Sequence, residues 1–180
     1  MTFSPESELG GYLREAGVIA VIVIEDAGKA VPLARALLDG GIHAMELTLR
    51  TPMALTALRS ICQEVPDMIA GVGTVLTTSQ VEAIIEAGGR FGVAPGCNPA
   101  VIKHAQDRGL AFAPGICTAT DIECALSLNC RLLKFFPAEA AGGLKLLKNM
   151  ATPYAHLGLK YIPLGGINTA NLKAYLSEPL

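Results

Sequence analysis

A chain of 180 residues suits one domain, and with 51% hydrophobic but only 5% aromatic residues it must fill its core with Ala, Val, Ile and Leu. A formal net charge of −2 with no basic cluster argues against nucleic acid or an anionic membrane as the main partner. No uninterrupted apolar run approaches membrane-spanning length, and Met1 to Arg14 is polar instead of basic-then-apolar, so a cytoplasmic location is expected.

In chain order, Pro5 to Ala16 reads as a short leading helix with Ser4 as its cap. Val18 to Ile24 is a continuous β-branched run, the mark of a strand buried on both faces. Ala27 to Asp39 is helical, stopped by Gly40-Gly41, and Ile42 to Leu49 is strand two. Thr51 to Glu64 is a helix with Thr51 as N-cap and Pro52 at its first position. Met68–Val72 and Phe91–Ala94 read as strands three and four, with a helix from Thr77 to Ala87 between them. Asn98 caps a helix to Arg108, Leu110 to Ala113 is strand five, and Thr118 to Leu128 is its helix. Arg131 to Phe136 is strand six, followed by a helix from about Ala140 to Met150. Leu159 to Pro163 is strand seven, and Asn168 to Leu176 is the last helix.

Strictly alternating β and α with buried strands means a parallel sheet. The spacing predicts a TIM (β/α)8-type barrel across residues 1–180 as a single domain. A doubly wound open sheet is the competitor, but no Gly-x-Gly-x-x-Gly follows strand one. Seven units are visible where such a barrel has eight, so the expectation is a barrel truncated at the C-terminus, lacking its eighth strand and last helix.

The five cysteines (Cys62, Cys97, Cys117, Cys124 and Cys130) are odd in number and form no Cys-x-x-Cys pair, which reads as reduced, partly buried thiols. His43, His104 and His156 lie far apart without ligand spacing, so no metal site is expected.

Chemistry in such a barrel gathers at the C-terminal ends of the strands. Strand six, Arg131-Leu132-Leu133-Lys134-Phe135-Phe136-Pro137, carries a lysine at the centre of an apolar run. A buried strand rarely keeps an ammonium unless it is paired or used, and removing it from water favours the neutral, nucleophilic amine. The other reading is a lysine that snorkels at a strand end. Alternation puts Leu132, Lys134 and Phe136 on one face, with Phe136 as an apolar wall beside the amine.

On strand two the same alternation groups Glu46, Thr48 and Arg50. An acid and a guanidinium pointing into a barrel read either as a structural pair or as a proton-transfer carboxylate beside an anion-holding arginine. Strand three ends in Gly71-Val72-Gly73-Thr74, whose glycines allow close backbone approach and whose threonine offers a hydroxyl at the tip. Ala94-Pro95-Gly96 and Ala113-Pro114-Gly115 predict two rigid tight turns on one rim. Gly165-Gly166 before a helix opened by Asn168 reads as a turn or as a phosphate cradle. Together these parts suit an amine that attacks a ketone, with a carboxylate to move protons and an arginine to hold the neighbouring carboxylate.

At these residues the chain resembles the 2-keto-3-deoxy-6-phosphogluconate (KDPG) aldolase family, class I aldolases that also cleave 4-hydroxy-2-oxoglutarate. The resemblance runs from about Val18 to Leu176. It is carried by Glu46-Leu47-Thr48-Leu49-Arg50-Thr51, Gly71-Val72-Gly73-Thr74-Val75-Leu76, Pro114-Gly115-Ile116, Leu133-Lys134-Phe135-Phe136-Pro137-Ala138-Glu139 and Gly165-Gly166-Ile167. It implies that Lys134 is the Schiff-base lysine and Glu46 the general acid/base. It implies that Arg50 and Thr74 hold the pyruvyl carboxylate, Pro95 and Phe136 wall the pocket, and Gly165 and Gly166 hold the substrate phosphate. It also implies a cytoplasmic homotrimer with no metal or organic cofactor, acting on a small 2-keto acid phosphate. Leu164 departs from the threonine of many members. Two other readings stand beside this one: a shortened, catalytically weak barrel with a folding or oligomer-forming role, and a phosphate-binding barrel that isomerises its substrate with Glu46 as base.

Overall fold

The computed structural model describes residues 5–178. Its strands are β1 (Ile19–Ile22), β2 (Ala44–Thr48), β3 (Ile69–Gly73), β4 (Phe91–Val93), β5 (Ala111–Ala113), β6 (Gly115–Ile116), β7 (Leu132–Phe135) and β8 (Lys160–Pro163). The first five form one parallel sheet in sequence order and the last three a second one. β5 and β6 are one strand interrupted at Pro114, so the segments make the seven βα units that the sequence predicts. Ala113-Pro114-Gly115 is therefore not a tight turn. The chain stays extended there, because the Lys134 N–H donates to the Pro114 carbonyl while the Ala94 N–H donates to Ala113, moving the strand from one sheet to the next.

The helices are α1 (Glu8–Ala16), α2 (Ala30–Asp39), α3 (Ala54–Glu64), α4 (Thr78–Glu86), α5 (Pro99–Asp107), α6 (Ala119–Ser127), α7 (Ala138–Ala141), α8 (Gly143–Ala151) and α9 (Leu172–Leu176). Thr77 and Thr118 close capping boxes with Gln80 and Asp121, and Asn98 caps α5 ahead of Pro99. Ser7 caps α1, while Ser4 lies outside the described residues. Thr51 is not a cap: its hydroxyl donates to the Ile24 carbonyl and ties the end of β1 to the loop after β2, so α3 starts at Ala54. The helix expected after β7 is broken at Gly142 and Gly143, whose φ values of 129° and 60° favour glycine. No helix among the described residues is long and apolar enough to cross a membrane.

Two apolar layers follow from strand alternation. Met45, Leu47, Ala70, Val72 and Leu133 point outward and pack with Leu58, Ile61, Ile84, Ile102 and Leu147 of the helices. Ala44, Phe91, Val93, Ala113 and Leu132 point inward, and α1 lays Leu9 and Leu13 against them as a plug. β1 departs from the expectation of burial on both faces. It pairs only with β2 among the described residues, and Val21 and Val23 are 42% and 48% exposed.

Two glycines of β3 make room inside. A Cβ on Gly71 would stand 2.5 Å from the ring of the fully buried Phe91. Gly71→Ala is expected to overpack this interior and cost about 1–3 kcal/mol, read as a lowered urea midpoint. An unchanged midpoint would show that the interior is looser than this.

Candidate active site

Glu46 sits at the middle of β2, in register with Val21 of β1 and Gly71 of β3. Lys134 sits at the third position of β7, in register with Gly115 and Ile162. These strands are not hydrogen-bonded neighbours, yet Lys134 Nζ lies 3.2 Å from Glu46 Oε1 across the interior. Glu46 is 2% exposed and Lys134 4%. The curl of the two sheets thus joins residues 88 apart in sequence. The snorkelling reading of Lys134 fails, because its amine ends on a buried carboxylate and not in water.

Burial pushes the Glu46 carboxyl above its ordinary range, and the nearby Lys134 only partly offsets this. The carboxylate reaches the amine because residue 73 is glycine: a Cβ there would lie 1.6 Å from Glu46 Oε1. The Phe136 ring stands with its centroid 5.5 Å from Lys134 Nζ, the apolar wall that alternation predicts.

The other expected residues ring this pair at the C-terminal strand ends. The backbone of Pro95 packs on Gly115, where a Cβ would meet it at 2.3 Å, and Gly115 is the register partner of Lys134. Thr74 follows β3 directly with φ 63°, a left-handed conformation that is costly for a β-branched residue. Arg50 is not on β2. The strand ends at Thr48, the Arg50 N–H turns back to the Thr48 carbonyl, and the exposed side chain has no ion-pair partner among the described residues. Since Thr48 and Gly73 are in register, Arg50 and Thr74 share one rim.

Gly165 and Gly166 adopt φ 104° and 81°. A Cβ on Gly165 would touch Phe136 and Pro137, and one on Gly166 would stand 2.7 Å from Glu139 Cβ. This loop is stapled to the start of α7 by the Ala138 and Glu139 N–H groups, which donate to Leu164 and Gly165. The expected helix at Asn168 is absent. Asn168 and Asn171 instead close turns onto Gly166 and each other, and α9 begins only at Leu172, so the N-terminus of α9 does not open directly at the loop.

Two residues of the site carried no assigned role in the sequence. Glu139, beside Gly166, accepts a hydrogen bond from the Tyr175 hydroxyl; burial first, and then this bond, pushes that phenol up to about 12. Thr48 was visible on the Glu46 face, but only burial marks it out. The cysteines are free thiols, with Cys97 and Cys130 pushed up to about 12 and 11, chiefly by burial.

A family model for KDPG and KHG aldolase matches residues 10–180. The chain belongs to this family. It is 44% identical to the 2-dehydro-3-deoxy-phosphogluconate aldolase of Treponema pallidum (strain Nichols), over 93% of this chain and 79% of that one. It superposes on the 2-keto-3-deoxy-6-phosphogluconate aldolase of Zymomonas mobilis ATCC 29191 with a TM-score of 0.90 at 41% identity, covering 96% of this chain and 82% of that one. The KDPG aldolase of Legionella pneumophila, solved with pyruvate captured as a covalent carbinolamine intermediate, gives a TM-score of 0.90 at 37% identity, over 97% and 84% of the chains. These structural neighbours support the TIM-type barrel expected from the sequence.

A carboxyl whose folded pKa lies above its unfolded value binds its proton more tightly in the native state. Its stabilisation is therefore complete at low pH and lost as pH rises through the raised pKa. The stability difference between the parent and Glu46→Gln, measured by thermal melts at stepped pH, is expected to shift against the parent as pH rises through and above the ordinary carboxylate range. A difference that moves in the parent's favour with rising pH would contradict the raised pKa.

Proposed function

We propose that the chain is a class I aldolase that cleaves KDPG to pyruvate and glyceraldehyde 3-phosphate, and 4-hydroxy-2-oxoglutarate to pyruvate and glyoxylate. The observation that carries this reading is the buried Lys134–Glu46 pair at 3.2 Å inside a barrel of this family. The carbinolamine held by the Legionella pneumophila relative supports the same first step here.

In this reading the Glu46 carboxylate takes a proton from the Lys134 ammonium, the freed amine adds to the C2 ketone, and the surplus proton on nitrogen passes to the oxygen to give a carbinolamine. The Glu46 carboxyl gives its proton to that hydroxyl, which leaves as water, and an iminium remains. The C4 hydroxyl then gives its proton to the Glu46 carboxylate, the C3–C4 bond breaks, and its electron pair flows into the iminium. Glyceraldehyde 3-phosphate leaves. The enamine takes a proton at C3, and water releases pyruvate and restores the amine. A carboxyl raised by burial suits Glu46 to give these protons as well as take them.

Arg50, which has no ion-pair partner among the described residues, and Thr74 would hold the carboxylate beside C2. Pro95 and Phe136 would wall the methyl side, and the Gly165–Gly166 backbone would meet the phosphate. No metal or organic cofactor enters this scheme. Family resemblance and composition support one barrel domain, a homotrimer and a cytoplasmic location.

Lys134→Arg keeps the charge and removes the nucleophile, so pyruvate release from KDPG is expected to fall by about 10³-fold or more. Glu46→Gln is expected to slow turnover by about 10²–10⁴-fold. A coupled pyruvate assay reads both. Cleavage at the parent rate by Lys134→Arg would exclude the Schiff-base route and favour Lys134 as an electrostatic helper.

A further inference from the structure

Among the described residues, Glu46, Thr48 and Lys134 are the buried polar side chains, and the proposed chemistry uses all but Thr48. Thr48 is 5% exposed, and its Oγ1 is buried with no hydrogen-bond partner among the described residues. A threonine hydroxyl can donate once and accept twice, and burying it unmet works against folding. Valine has the same shape and a higher preference for strands, so packing alone does not account for threonine here.

Its position shows what the hydroxyl would meet. Thr48 shares the inward face of β2 with Glu46 and lies one step nearer the barrel mouth. Its register partner is Gly73, and Glu46 Oε1 occupies the place of the missing Gly73 Cβ. Adjacent strands lie about 4.8 Å apart, so Thr48 stands about one strand spacing from the carboxylate that holds the Lys134 amine. Arg50 and Thr74 lie just beyond it on the rim.

We infer that Thr48 Oγ1 is a hydrogen-bond partner for the C2 oxygen of the bound 2-keto acid, a contact that rests on the aldolase reading above. The oxygen is first the ketone carbonyl, to which the hydroxyl donates. When Lys134 Nζ bonds to C2, the carbonyl electron pair moves onto that oxygen, which takes a proton and becomes the carbinolamine hydroxyl. It leaves as water with a second proton from the Glu46 carboxyl. Thr48 holds the oxygen in place through these steps without giving up its own proton.

The test compares Thr48→Val with Thr48→Ser in the whole chain, using KDPG cleavage and thermal melts. Thr48→Val is expected to lower kcat/KM by about 10- to 100-fold while the Tm stays level or rises by about 2–4 °C. Thr48→Ser is expected to keep kcat/KM within a few-fold of the parent. Parent-level activity in Thr48→Val overturns the inference. So does a lowered Tm in Thr48→Val with an equal activity loss in Thr48→Ser, because disturbed packing and not the hydroxyl would then account for both losses. A folded parent that releases no pyruvate from KDPG overturns the aldolase reading and this contact together, an outcome distinct from both.

Discussion

The structure depends on keeping two opposite charges out of water at one point of the barrel. Lys134 and Glu46 are almost wholly buried and face each other at 3.2 Å. Each alone would carry a desolvation penalty of several kcal/mol, and removing one partner of such a pair costs about 3–5 kcal/mol. A hydrophobic pair of similar volume would serve stability as well or better. What the charged pair offers is a nucleophile and a proton carrier already in contact, with the carboxyl held above its usual range by burial.

The surrounding residues make this contact attainable. Gly71 leaves space for Phe91, and Gly73 leaves space for the Glu46 carboxylate. Gly115 lets the Pro95 backbone close over the register partner of Lys134. The interruption at Pro114 hands the chain from one sheet to the other, which brings β7 across from β2. α1 closes the far end with Leu9 and Leu13. The interior below the pair is thus lined by apolar side chains, while the strand ends above it carry Arg50, Thr74 and the Gly165–Gly166 loop.

Much of this was legible in the residues. Period-two alternation put Glu46 on one face of its strand and Lys134 with Phe136 on another, and both pairings stand in three dimensions. The cap at Asn98 marked its helix because the capping bond is local. What was not legible depended on partners distant in the chain. Thr51 looks like a cap, but its hydroxyl serves Ile24 across 27 positions. Pro114 looks like a turn, but two neighbouring strands hold it extended. Arg50 fits the alternation, yet its strand stops two residues earlier. Val21 and Val23 look like core, but exposure depends on what pairs beyond β1. The space that Gly73 leaves, and the unmet hydroxyl of Thr48, are properties of packing that no pattern of residue types announces.

The most direct test of the central claim is to incubate the protein with pyruvate and sodium borohydride and locate the adduct by mass spectrometry of the digested chain. The account predicts a single reduced pyruvyl adduct on Lys134. A folded protein that gains no adduct, or gains it on a different lysine, would contradict it.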